Sequence, residues 1–169
     1  MFNCFYPDMD LSSTYKIDFE AFYRHGYRGI IFDIDNTLVP HGAPADEKSI
    51  ALFERLHSMG FSTMLLSNNK EPRVKSFASQ VKSPYIYKAG KPGSGGYQKA
   101  MEEMGTNVDN TLFVGDQLFT DVWGAKRLGI FTVLTAPINP KEEIQIVLKR
   151  VLEKIVLYFY YKHKENSHG

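Results

Sequence analysis

Two carboxylates stand two positions apart, Asp33 and Asp35, in the run Asp33-Ile34-Asp35-Asn36-Thr37-Leu38. Carboxylates this close repel each other and lose hydration on burial, which is costly unless a cation or hydrogen bonds compensate. Such a pair either caps a turn through Asx side-chain bonds to nearby backbone or gathers a metal ion and an electrophile. Four more polar residues favour the second reading, because they follow three further short apolar runs. Ser67 ends Phe61 to Leu66 (FSTMLL), Lys91 follows Pro84 to Tyr87, and Asp116 with Asp121 follows Thr111 to Val114 (TLFV). Acids, a hydroxyl and a lysine at successive strand ends read as the groups of one site. Gly90-Lys91 is not a nucleotide-binding phosphate loop, since no Gly stands five positions earlier and Pro92 replaces the Ser or Thr. His41 follows the acidic pair closely and reads as an exposed loop residue near the site.

The elements that must position these groups alternate. Gly29 to Ile34 (GIIFDI) reads as a strand buried on both faces. Ala45 to Met59 has apolar residues at helical spacing and a stop at Gly60, and Phe61 to Leu66 reads as the next strand. Glu71 to Val81 is helical, with Pro72 in its first turn, and Pro84 to Tyr87 is a short strand. Tyr97 to Met104 is helical, Thr111 to Val114 extended, Val122 to Leu128 helical and Ile130 to Leu134 extended. Strands alternating with helices through short connections predict an α/β fold, a doubly wound parallel sheet in three α/β/α layers. Ligands in such folds bind beyond the carboxyl ends of the strands, where Asp33, Ser67, Lys91 and Asp116 all fall.

The chain has 169 residues and reads as a single domain over 1–169 without repeats or linkers, closed by an amphipathic helix at about 141–161. That segment carries Ile144, Val147, Leu148, Val151, Leu152 and Ile155 on one helical stripe, so it is expected to pack on the sheet or in a homo-oligomer contact, with membrane-surface binding as the alternative. The tail after Tyr161 reads as a solvated end, with His163 and His168 weak candidates for a metal. Twenty Lys plus Arg against nineteen Asp plus Glu leave a formal charge of +1, which selects no nucleic-acid partner. One cysteine, Cys4, fits a reducing compartment, and no secretory leader or bilayer-spanning run of roughly 20 apolar residues is evident, so a cytoplasmic location is expected.

Taken together, Asp33-x-Asp35-x-Thr37, Ser67, Lys91-Pro92 and Asp116 with Asp121 resemble the four motifs of the haloacid dehalogenase superfamily of aspartate-nucleophile phosphatases. The wording FDIDNTLVP, LLSNN, KAGKP and VGDQLFTD is most similar to the YqeG-type phosphatases of subfamily IIIA, themselves similar to a phosphatidylglycerophosphate phosphatase. The resemblance spans Asp33 to Asp121. It implies Mg²⁺ held by the Asp33 and Asp116 side chains and the Asp35 carbonyl, with Lys91 as a second positive charge. It further implies that Asp33 is the nucleophile, and that Asp35 protonates the leaving oxygen and then deprotonates water. Ser67 and Asn68 would hydrogen-bond the transferring phosphoryl oxygens beside Lys91. Thr37 would support the acids, and Asp121 would stand behind them, holding Lys91 or a metal-bound water, unless it is an ordinary first-turn Asp.

Only 31 residues lie between Asp35 and Ser67 and 23 between Ser67 and Lys91, room for a helix and a strand but no cap domain. By analogy with capless relatives, an open site admits a large phosphorylated substrate, phosphatidylglycerophosphate being the leading one, or borrows a lid from a neighbouring subunit. The competing class is a phospho-receiver, or a regulatory or assembly protein with little turnover. A receiver's acceptor Asp sits on a strand separate from its acidic pair, whereas Asp33 and Asp35 share one strand end, and no motif is broken as an inactive assembly factor would allow.

Overall fold

The computed structural model describes residues 3–139 and 144–166. Six parallel strands form one sheet in the order β1-β6-β5-β2-β3-β4. They are β1 (Met9–Leu11), β2 (Gly29–Phe32), β3 (Ser62–Leu66), β4 (Tyr85–Ile86), β5 (Thr111–Gly115) and β6 (Phe131–Thr135). The helices are α1 (Phe19–Arg24), α2 (Glu47–Met59), α3 (Glu71–Val81), α4 (Gly95–Met104), α5 (Trp123–Lys126) and α6 (Ile144–Asn166). The doubly wound α/β architecture read from the alternation is the observed one. Between β2 and β3 lies only α2, with its approaches, so no cap interrupts the mouth of the site.

Strand alternation sends side chains to two layers. Ile30, Phe32, Leu65, Leu112 and Val114 pack with Phe19 of α1, Phe53 of α2 and Phe77 of α3 on one face. Ile31, Met64, Leu66 and Phe113 pack with Tyr97 and Ala100 of α4 and Ala125 of α5 on the other. Central strands therefore need apolar residues at every position, and β2 and β5 are buried throughout. Helix α2 begins at Asp46, whose carboxylate accepts the Ser49 N–H while the Ser49 hydroxyl closes back on Asp46, and it ends at Gly60 with φ 99°.

From β2 the chain moves outward through β3 and β4, then returns to the other side of β2 to build β5 and β6. The switch in winding direction falls between β2 and β5, where diverging connections leave a crevice at the carboxyl ends. Asp33 follows β2 there and Asp116 follows β5.

Some expectations are corrected. The strand expected over Gly29 to Ile34, β2, ends at Phe32 rather than Ile34, because the chain turns so that Thr37 and Leu38 donate back to the Ile34 carbonyl. The helix expected over Val122 to Leu128 begins earlier, as a π-helical turn at Leu118–Val122 running into α5. β1 and α1 had no expectation. The largest departure is α6. Val151, Leu152 and Ile155, the stripe expected to pack on the sheet or in a homo-oligomer contact with membrane-surface binding as the alternative, are 52%, 56% and 51% exposed, so they do not pack on the sheet. The face turned to the body instead carries Glu153, Val156 and Tyr160, with half-buried Arg150. Polar groups take the inside because they find partners there: Glu153 Oε1 accepts the Leu118 N–H at 2.9 Å, and Arg150 binds Asp116. The side chains of Ile144, Val147 and Leu148, and His168, lie outside the described residues.

Candidate active site

The carboxyl ends of the strands enclose a cavity of about 130 Å³ whose lining includes Asp33, Asp35, Ser67, Lys91 and Asp121. Residues from four separate loops therefore meet, as the strand-end reading required. Asn36 turns the chain sharply, at φ 65°, a left-handed conformation that Asn tolerates better than most residues. Its carbonyl accepts the Ile138 N–H at 3.0 Å, which ties the loop carrying both acids to the segment after β6.

Lys91 lies at the centre. Its Nζ is 2.7 Å from Asp33 Oδ1 and 2.6 Å from Asp121 Oδ1, and its side chain is 3% exposed. Burial alone would lower the Lys91 pKa, but Asp121 and Asp33 raise it well above the ordinary lysine value, so the ammonium stays charged. Asp121 is thus a partner of Lys91 rather than a solvated first-turn acid, and three features of the fold place it. A Cβ on Gly115 would lie 2.5 Å from Asp121 Oδ2, so glycine leaves the room this carboxylate fills. The π-helical turn rotates Asp121 inward, a distortion that often marks functional sites. The Tyr97 hydroxyl, seated against Gly124, donates to the Thr120 carbonyl at 2.8 Å and the Asp121 carbonyl at 3.2 Å.

Asp33, Asp116 and Asp121 each present a carboxylate oxygen within 4.8 Å of the others. Thr37 Oγ1 reaches Asp33 Oδ2 at 3.2 Å and Asp116 Oδ1 at 3.3 Å, bracing the two acids across the β2–β5 crevice. Burial, with Asp121 adding to it and Lys91 opposing it, pushes the Asp33 pKa up to about 6. Asp116 is raised well above the carboxylate range by burial and by Asp33 and Asp121, although Arg150 opposes the shift. Crowded, buried oxygen donors of one sign are the donor set that a hard divalent cation satisfies.

Asp35 has a different environment. Burial would raise its pKa, but the Gly42 N–H at 2.8 Å, Arg73 Nη2 at 2.9 Å and Asn69 Nδ2 at 3.3 Å hold its carboxyl below the usual range. Two acids of one short motif are thus pushed in opposite directions, Asp33 up by burial and Asp35 down by its three donors. Ser67 is buried, and its Oγ accepts the Asn69 N–H at 3.1 Å, which leaves its own hydrogen to donate into the cavity. Asn68 has a structural part as well. Its side chain clamps the Lys91 backbone, donating to the carbonyl at 3.0 Å and accepting the N–H at 2.8 Å, so it shapes the lysine loop while still lining the cavity.

Arg73, Asn69, Arg150 and Thr120 complete the surroundings, and sequence motifs did not single them out. Arg73 lay in plain view at the start of a helix that follows the Ser67 loop, where a cation can reach back to an acid. Arg150 carried no such signal, because it belongs to a segment read for its apolar stripe. Exposed His41 lines the mouth. His163 lies against the Tyr6 ring at 6.1 Å.

A family model for haloacid dehalogenase-like hydrolases matches residues 41–129, which include Ser67, Lys91, Asp116 and Asp121 but begin after Asp33 and Asp35. The probable phosphatase YqeG of Bacillus subtilis is 34% identical over 154 residues, covering 90% of each chain and hence the first motif as well. The chain belongs to the haloacid dehalogenase-like hydrolases. Within that family it is a phosphatase. The chloroplastic and mitochondrial phosphatidylglycerophosphate phosphatase 1 of Arabidopsis thaliana is 27% identical over 157 residues, which span 83% of this chain but 43% of that protein. The fold agrees with solved family members. The cobalt-bound deoxy-D-mannose-octulosonate 8-phosphate phosphatase of Haemophilus influenzae superposes with a TM-score of 0.51 at 12% identity, covering 66% of this chain and 80% of that one. A subfamily III A hydrolase from Legionella pneumophila gives 0.50 at 15% identity over 72% and 75%.

Proposed function

We propose that this phosphatase is a magnesium-dependent phosphomonoester hydrolase that turns over through an aspartyl-phosphate on Asp33, with a phospholipid headgroup phosphate, phosphatidylglycerophosphate first, as its substrate. The observation that carries the reading is the convergence of Asp33 and Asp121 on the Lys91 ammonium beside Asp116. Mg²⁺ would be held by the Asp33 and Asp116 carboxylates and the Asp35 carbonyl, and would supply the positive charge that lets a carboxylate meet a phosphate dianion.

In this reading Asp33 attacks phosphorus, the ester oxygen leaves with a proton from Asp35, and Asp33 carries the phosphoryl group as an acyl phosphate. Asp35 then takes a proton from the water that cleaves the acyl phosphate, releasing inorganic phosphate and restoring Asp33. The Gly42, Asn69 and Arg73 donors favour its ionised form, which is the form needed for the second half-reaction. Ser67 donates to one transferring phosphoryl oxygen, and Lys91 neutralises charge growing on the others. Asp121 keeps the ammonium directed into the cavity.

The lipid assignment draws on the open mouth and on the names of the plant and algal relatives, phosphatidylglycerophosphate phosphatases that are 27% and 28% identical to this chain. The test is phosphate release from an aryl phosphate and from phosphatidylglycerophosphate in mixed micelles, with magnesium or excess chelator, comparing wild type with Asp33→Asn. Release should require both metal and Asp33, with a loss of at least about 10³-fold in the variant. Unchanged turnover by Asp33→Asn would overturn the nucleophile. A large preference for a soluble sugar phosphate would overturn the lipid.

A further inference from the structure

Helix α6 is turned the wrong way for a helix that ends its life in water. Its inward face carries Arg150 and Glu153, while Val151, Leu152, Ile155, Tyr158 and Phe159 present an apolar stripe that is 44–63% exposed. Contiguous apolar surface of this kind marks a contact with something else. The inward face cannot be exchanged for the outward one. Glu153 Oε1 accepts from Leu118 N at 2.9 Å and Phe119 N at 3.4 Å, and Arg150 holds the Asp116 carbonyl at 2.8 Å. Rotation would leave these buried groups without partners.

We infer that the outward face of α6 docks on the surface of an anionic lipid bilayer. Charge selects this occupant. Lys154 stands one helical turn from Val151 and from Tyr158, Lys162 one turn from Tyr158 and Phe159, and Lys149 one turn from Leu152; all three lysines are exposed. Among the described exposed residues of α6 none is acidic. Lysine stems can lie along an apolar surface while their ammonium groups meet lipid phosphates, and Tyr158 has the amphipathic ring that favours the headgroup level. A second copy of the chain fits less well, because a two-fold contact through this stripe sets lysines against lysines with no carboxylate between them. No helix among the described residues is long and apolar enough to cross a membrane, so α6 would lie in the interface plane.

The placement matters for the site. The loop that Glu153 holds contributes Gln117, Thr120 and Asp121 to the cavity, so the docking stripe is the outer face of a helix whose inner face holds a loop of the site. Docking would bring the mouth close to a headgroup without the lipid leaving the bilayer. This deepens the lipid-phosphate reading, and rests on it only for what the docked enzyme hydrolyses.

The test uses the full chain and phosphatidylcholine vesicles with and without phosphatidylserine, an anionic lipid that carries no phosphomonoester. Co-sedimentation should require phosphatidylserine and weaken with salt. Leu152→Glu/Ile155→Glu should lower binding by about tenfold or more, and Lys154→Gln/Lys162→Gln by about fivefold per lysine. Aryl phosphate hydrolysis should be unchanged in both variants, which also reports that they fold. Wild-type chain that stays in solution with phosphatidylserine vesicles overturns the inference, as does equal binding by the Glu variant. Wild type that sediments as a dimer, and falls to monomer in the Glu variant, assigns the stripe to a second copy instead. An enzyme that binds vesicles but releases no phosphate from any ester would sink the proposed function while leaving the docking surface standing.

Discussion

The guanidinium of Arg150 closes on Asp116 from a helix at the far end of the chain, with Nη2 2.5 Å from Oδ2 and Nη1 2.8 Å from the backbone carbonyl. The Asp116 side chain is 0% exposed, so this pair supplies the charge compensation that water cannot. Arg150→Gln is therefore expected to destabilise the metal-free protein by at most about 3–5 kcal/mol, the usual cost of leaving a buried charge alone, and by less where Asp116, already raised by burial, takes a proton instead. Magnesium should raise the melting temperature more in the variant than in wild type, because the cation takes over part of the lost compensation. Thermal melts of both proteins in chelator and in saturating magnesium decide it, and equal metal-induced shifts would contradict the role given to Asp116.

Arg73 plays the corresponding part for Asp35, at 2.9 Å, and favours its ionised form. Arg73→Gln removes one of three donors, so the Asp35 pKa should rise toward the ordinary carboxylate value and above, as burial then counts for more. Whichever limb of the pH–rate profile Asp35 governs, that limb should move to higher pH in the variant. A profile that loses height but keeps its limbs would mean that Arg73 serves only to hold the fold.

The strand-end groups were legible because their chemistry and their secondary structure coincide: apolar runs with β-branched residues end at Asp33, Ser67 and Asp116, and the topology does the rest. Legibility failed where a partner is distant in sequence. Nothing near Arg150 announces Asp116, and the stripe through Val151, Leu152 and Ile155 has the periodicity of a core face although the buried bonds of Arg150 and Glu153 turn it outward. The pattern of apolar residues shows that a helix has two faces. Which face the body takes is decided by the partners waiting there. β1 was missed for a simpler reason, since three residues with an acid in the middle give no run, and its pairing with β6 from Met9 opposite Val133 supplies the order.

Gly115 carries no chemistry, yet its hydrogen is what allows Asp121 to stand behind Lys91. Gly115→Ala places a Cβ 2.5 Å from Asp121 Oδ2 and 2.7 Å from the Phe113 ring, so the acid must shift and its contact with Lys91 must loosen. Turnover should fall by about tenfold to a hundredfold, with a smaller loss of stability than Lys91→Met, which strands both Asp33 and Asp121. Steady-state kinetics and chemical denaturation of the two variants separate these effects. Wild-type turnover in Gly115→Ala would show that the position of Asp121 is immaterial.

The acid cluster also predicts how the metal-free protein responds to pH. Asp33 is raised from 3.8 to about 6 by burial, with Asp121 adding to the shift, and Asp116 moves in the same direction. A carboxyl with a raised native pKa binds its proton more tightly in the folded state, so stability increases as pH falls through about 6 and the gain is complete near the unfolded value of 3.8. Asp35, lowered in the native state, works oppositely and withdraws stability as pH falls further, through its own lowered pKa. In chelator the denaturation midpoint should therefore be higher at pH 5 than at pH 7. Magnesium should reverse the order, because cation-bound carboxylates are held ionised and protons then compete with the metal. A midpoint that falls steadily from pH 7 to pH 5 in chelator would mean that Lys91 and Arg150 already neutralise the cluster, and that the metal is not needed to hold these acids together.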